Sequence, residues 1–135
     1  MKKRLRDAWV ADLRSGKFAQ ATGLLHKTEA TGRGRTDRAG YCCLGVLSCR
    51  IAGLAAVKET GWKWDGQQWR RDREADELVG TVEDGVLPVI VQSAVGLSSN
   101  AFGQLIEMND GSEETRPRSF AQIAKWIEKN IEVEE

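Results

Sequence analysis

Three thiols fall within eight residues of one apolar run, "YCCLGVLSCRIAGL", from Tyr41 to Leu54. A thiol in the first turn of a helix faces unpaired backbone amides and the helix dipole, which lower its pKa and make it a nucleophile. A nucleophilic Cys42 or Cys43 also needs a base. The chain has a single histidine, His26, which lies upstream across a glycine-rich stretch. Zinc is disfavoured by the spacing Cys42, Cys43, Cys49, since structural sites pair C-x2–4-C units with each other or with histidines. Adjacent cysteines on a helix also point about 100° apart. An odd number of closely spaced cysteines is not a disulfide framework. What remains is cysteine as a small apolar residue of the interior. The sequence therefore predicts no catalytic residue, no metal and no cofactor, with a hydrolase using Cys42 or Cys43 and His26 as the enzymatic alternative.

Four polar residues, members of the motif set quoted below as a resemblance, are not explained by core packing alone: Arg14, Gln20, Asn109 and Asp110. One account is structural, with Arg14 capping carbonyls, Gln20 bridging backbone, and Asn109–Asp110–Gly111 forming a turn. The other brings them together beside Tyr41 and Cys43 as a small polar pocket in an apolar wall, the usual composition of a ligand site. A second candidate surface is "GWKWDGQQWRRD", where Trp62, Trp64 and Trp69 are followed by Arg70, Arg71 and Arg73. These side chains would either pack as a satellite of the core or stack on a base, a sugar or a protein partner. The segment "TGRGRTDR" adds Arg33, Arg35 and Arg38, whose guanidinium groups and neighbouring glycines suit a phosphate, though no strand pattern precedes them. The acidic pairs Asp72–Asp76 and Glu113–Glu114 read as solvated faces.

The elements that must position these residues are mostly helical. Leu5, Trp9 and Leu13 recur at i, i+4 and i+8 and predict a helix over 3–15, stopped at Gly16. "KFAQATGLLHK" reads as a strand or hairpin arm, and 27–40 as a mobile loop without large apolar side chains. Leu44, Val46, Leu47, Ile51 and Leu54 surround most of a helical barrel, which predicts a buried central helix. Asp65–Gly66 between aromatic arms predicts a hairpin with a type I′ turn. "LPVIVQSAVGL" gives a short helix with Pro88 in its first turn, and "AFGQLIEM" another short element ended by "NDG". Ser119 with Gln122 forms a capping box ahead of Phe120, Ile123, Trp126, Ile127 and Ile131. The expected fold is α+β, a single domain over 1–135, with about four helices around the central one and a small antiparallel hairpin or sheet.

With 41% hydrophobic and 30% charged residues the chain has a globular composition. Lys+Arg and Asp+Glu are both 20, so no surplus of positive potential favours nucleic acid. "MKKRLRDAWVADLRSG" lacks the apolar stretch of a signal peptide, and "GVLPVIVQSAVGL" is short of the ~20 residues that span a bilayer. A cytoplasmic protein without membrane contact is expected.

Two resemblances bear on function. Around Cys43 about a dozen residues resemble the nucleophile helix of papain-like cell-wall amidases, whose histidine base lies downstream of the cysteine; here no histidine follows Cys43. More extensively, "WVADLRSGKFAQATGLL", "YCCLGVL", "LP", "LIEMND" and "SFAQIAKWIE" together resemble a group of small proteins encoded by phages and prophages. This resemblance runs from Trp9 to Ile127. It implies a phage origin and expression inside an infected bacterium, and it lends no activity and no catalytic residue. The connection between Gln20 and the cysteines is longer here than is usual in that group, so Arg33, Arg35 and Arg38 belong to an extension. The expected function is non-catalytic binding to a host protein or a small molecule, modulating the host or its defences. Sequestration of a nucleotide-type immune signal is one alternative, with phosphate held by Arg33, Arg35, Arg38 or Arg70–Arg71 and the base on tryptophan.

Overall fold

The computed structural model of the chain describes residues 1–23, 25–29, 38–71 and 86–134. In order, the elements are α1 (Lys3–Arg14), β1 (His26–Glu29), β2 (Arg38–Tyr41), α2 (Cys43–Ile51), α3 (Ala55–Lys58), β3 (Trp62–Trp64), β4 (Trp69–Arg71), α4 (Val89–Ala94), α5 (Ser99–Asp110) and α6 (Phe120–Asn130). The described residues thus form a mostly helical α+β structure, with four longer helices, two short ones and two antiparallel strand pairs.

α1 buries Trp9, Val10 and Leu13, the stripe its periodicity prescribes, and the chain turns away through Gly16 at φ +77°. Its main packing partners are α6 and α2. α6 opens on the full capping box, Ser119 accepting from the Gln122 amide and Gln122 from the Ser119 amide, and buries Phe120, Ile123, Ala124 and Ile127. α2 buries Cys43 through Ser48 together with Ile51 and packs against α1, α5 and β2. Two tryptophans fasten to it. The Trp9 indole N–H donates to the Cys43 carbonyl at 2.9 Å, and that of Trp69 to the Ser48 hydroxyl at 2.9 Å. Ser48 in turn donates to the Leu44 carbonyl at 2.8 Å. Buried tryptophans that find hydrogen-bond partners contribute their full apolar area without an unpaired donor.

Gly45 lets α2 approach its neighbour. A Cβ built there would lie 1.9 Å from the Leu25 carbonyl oxygen, so no side chain fits. The same carbonyl accepts from the Cys42 amide at 3.1 Å.

Three local expectations change. Strands occupy both ends of the stretch expected as a mobile loop over 27–40, with His26 opposite Tyr41 and Glu29 opposite Arg38; residues 30–37 lie outside the described residues. Main-chain atoms organise this region, which is why side-chain patterning missed it. The Tyr41 amide donates to Ala19 and its carbonyl accepts from Ala21, both at 2.8 Å. The hairpin of Trp62–Trp64 and Trp69–Arg71 closes through four residues rather than a two-residue type I′ turn. One Asp65 carboxylate oxygen accepts from the Gln67 and Gln68 amides, each at 2.8 Å, and Gly66 takes φ +99°. Finally, Asn109 and Asp110 complete the last turn of α5 and only Gly111 leaves it, at φ +77°.

Candidate functional site

Four of the sequence-predicted residues meet where α2 begins and α5 ends. Asn109, 1% exposed, stands at the centre. Its Oδ1 accepts from the Cys43 amide at 3.1 Å and from Gln20 Nε2 at 3.2 Å. Its Nδ2 donates to the Ala21 carbonyl at 2.8 Å and to Asp110 Oδ1 at 2.9 Å. Gln20 Nε2 also donates to the Arg118 carbonyl at 2.7 Å, and Asp110 Oδ1 accepts from the Gly23 amide at 2.9 Å. One amide side chain therefore joins the 19–23 segment, α2 and α5. Tyr41 reaches this node through its backbone, while its ring meets Phe18 edge-on at 5.4 Å. Arg14 stands apart, ion-paired to Glu128 of α6.

Beside the node lies a cavity of about 240 Å³, floored by Cys42, Cys43 and Leu44 and walled by Leu25, Phe102 and Ile106, with Asn109 and Asp110 at one end. Its chemistry does not favour a thiolate. Cys42 is the N-cap of α2 and its sulfur accepts from the Gly45 amide at 3.4 Å, which favours the charged form. Burial outweighs this and pushes the thiol up to about 11, with the Asp110 carboxylate acting in the same direction. Cys43 is wholly buried; burial raises it well above the ordinary value, and its Sγ lies 3.7 Å from the Leu105 carbonyl. Burial also raises Cys49. Of His26 the structure describes the backbone, paired with Tyr41. Among the described residues no group of three or more His, Cys, Asp or Glu is placed to hold a metal ion.

The tryptophan hairpin turns inward. Trp64 and Trp69 are opposite partners in the strand register, so they share a face with Trp62. Trp69 is fully buried, Trp62 is 6% exposed and Trp64 is half-buried, its ring 5.6 Å from that of Trp69. Arg71 covers the Trp62 ring at 5.4 Å, and Arg70 Nε donates to Asp65 at 2.6 Å. Of the two readings of this hairpin, Trp62 and Trp69 take the packing one. Arg33, Arg35, Asp72, Arg73 and Asp76 lie outside the described residues.

Sequence reasoning missed a groove of about 630 Å³ between the start of α1, the α2–α3 junction and the end of α4. Leu5, Ala8, Leu54, Ala55, Ala56, Ala94 and Val95 supply its apolar lining. Lys2, Arg4 and Arg50 bring cations to it, and Glu134 a carboxylate. Its walls come from segments far apart in the chain, so no local pattern announces it. The one local clue is Leu54, a large apolar residue expected on the same helix as Ile51, which lies instead beyond the end of α2, 40% exposed.

Among the described residues no helix is long and apolar enough to cross a membrane. No curated protein and no solved structure matches the chain. One family profile does, over residues 1–131, a span that takes in the node, the thiols and almost all of the groove. The chain belongs to the family described as a domain of unknown function, DUF8296.

Proposed function

We propose that the protein acts by non-catalytic binding, as a phage-type accessory protein that engages a host protein or a small molecule in the bacterial cytoplasm and modulates the host or its defences. One observation carries the binding reading: the groove between α1, α3 and α4 is open, mostly apolar and, at about 630 Å³, within the size range of ligand pockets. Its few charged groups sit among apolar walls, the arrangement that gives affinity from burial and orientation from charge. The phage setting is supported by the sequence pattern from Trp9 to Ile127. Binding rather than catalysis is supported by the thiols, which burial holds in the protonated, unreactive form. The nucleotide alternative has less support, because Trp62 and Trp69 are committed to the interior.

Nile red, a neutral apolar fluorophore, tests the reading. The native protein should take it up saturably, one per chain, and Ala56→Trp, which adds bulk at an exposed groove position, should abolish uptake while leaving the melting temperature within a few degrees. Equal uptake by both proteins, or by neither, would overturn the assignment of the groove.

A further inference from the structure

We propose that the groove takes a free fatty-acid carboxylate, a single apolar chain with one negative charge, and that Arg4 receives its head group. The inference rests on the groove being a ligand site and adds the class of ligand.

The lining excludes several chemistries. It contains no aromatic side chain, so a flat ring finds nothing to stack on. Apart from its charged residues it offers one polar side chain, the Ser93 hydroxyl, too little to satisfy the many hydroxyls of a sugar. Alanines at 8, 55, 56 and 94 leave a smooth apolar path on which a narrow chain can lie without displacing a bulky side chain.

The charges fix the other end of the ligand. Lys2 Nζ is 3.2 Å from a Glu134 carboxylate oxygen. Arg50 is held by both oxygens of Asp12, at 2.6 and 2.8 Å, the two-point geometry in which guanidinium and carboxylate match best. Two of the three cationic side chains thus have a counter-charge, and the Met1 ammonium is taken up by the Gly96 and Glu132 carbonyls at 3.3 and 3.5 Å. Arg4 is exposed and has no ion pair among the described residues. One unmatched positive charge beside an apolar trough calls for one negative charge on an apolar chain. A cationic amphiphile of equal length would gain the same burial and meet repulsion.

Titration calorimetry with dodecanoate, octanoate and dodecyltrimethylammonium tests this. Dodecanoate is expected to bind one per chain and more tightly than octanoate, by about fourfold for each added methylene. It should also bind at least tenfold more tightly than the cationic chain. Arg4→Ala should weaken dodecanoate by about tenfold, the loss of one exposed charge-assisted contact. Arg116→Ala, which removes the same charge from an exposed site outside the groove, should leave it unchanged. Ala56→Trp should abolish binding. The proposal fails if the anionic and cationic chains bind alike, if Arg4→Ala changes nothing, or if Nile red binds and dodecanoate does not. In each of those cases the groove remains a ligand site for another molecule. It also fails if the protein adheres to phosphatidylglycerol vesicles without taking up dodecanoate, or if it forms a dimer that Ala56→Trp breaks, which would make a second copy the occupant. Absence of both Nile red and dodecanoate binding overturns the binding role of the groove itself.

Discussion

At the level of single residues, Asn109 and the cysteines show how side chains that look like chemistry become structure. Asn109 spends its donors and its acceptor inside the protein, so Asn109→Ala strands the buried Cys43 amide and takes the donor from the part-buried Ala21 carbonyl, while Gln20 keeps its bond to the Arg118 carbonyl. Each unmet buried polar group costs about 1–3 kcal/mol, so a loss of about 2–3 kcal/mol is expected, seen as a lower urea midpoint with an unchanged slope. Asn109→Asp retains the acceptor but turns the donor towards Ala21 into a second acceptor, so it should lose nearly as much. The thiols make a pH prediction. Burial raises Cys42 from 9.0 to about 11 in the folded state. Its folded-state value thus exceeds the unfolded one, and the stability involved is intact below pH 9 and lost as pH rises through about 11. Cys43, Cys49 and Tyr41 shift in the same direction. The melting temperature should hold steady from neutrality to about pH 9 and then fall, and Cys42→Ala should make that fall shallower. A melting temperature that rises above pH 9 would contradict the burial of the thiols.

At the level of elements, Gly45 and Leu25 govern how closely α2 can pack. Gly45→Ala would drive a methyl group into the Leu25 carbonyl, and neither helix nor strand can yield by that much without breaking the Cys42–Leu25 hydrogen bond. A loss of more than about 3 kcal/mol is expected, enough to unfold much of the population at 37 °C. Circular dichroism of the variant checks it. Two of the longer helices were legible in the sequence because their signals are local: α1 from the spacing of Leu5, Trp9 and Leu13 and the stop at Gly16, α6 from Ser119, Gln122 and the stripe behind them. β1 and β2 were not legible. Their pairing, and the bridge of Tyr41 to Ala19 and Ala21 beside it, run through backbone bonds, which leave no periodic trace in side-chain type. The hairpin was foreseen, but its turn was not, because Asp65 uses its carboxylate to hold two amides rather than pairing with Gly66 in a two-residue turn. At the candidate site Gln20, Cys43, Asn109 and Asp110 come together; Gln20, Asn109 and Asp110 stand out in the sequence as polar members of the pattern that resembles the phage-encoded group. Arg14 was expected with them and instead pairs with Glu128 of α6, since residue type reveals which side chains are unusual and only topology reveals where they point.

At the level of the whole molecule, the tryptophans report on one continuous interior. Trp9 from α1, Trp62 and Trp69 from the hairpin, and Phe120, Ile123, Ala124 and Ile127 from α6 belong to a single buried cluster. Tryptophan fluorescence and far-ultraviolet circular dichroism should therefore follow the same urea transition. An early fluorescence change would mean that the hairpin melts by itself. The groove lies at the margin of this cluster, where the 132–134 segment returns to the first residues. The Glu134 amide donates to the Met1 carbonyl at 2.8 Å, and the Lys3 amide to the Glu134 carbonyl at 3.3 Å, in parallel register. Parallel pairing has a mechanical consequence. Tension applied between residues 1 and 134 loads both bonds together in shear, rather than peeling them apart in turn. In an optical trap, the first yield should be one abrupt event that parts the two segments and widens the groove, before the interior gives way.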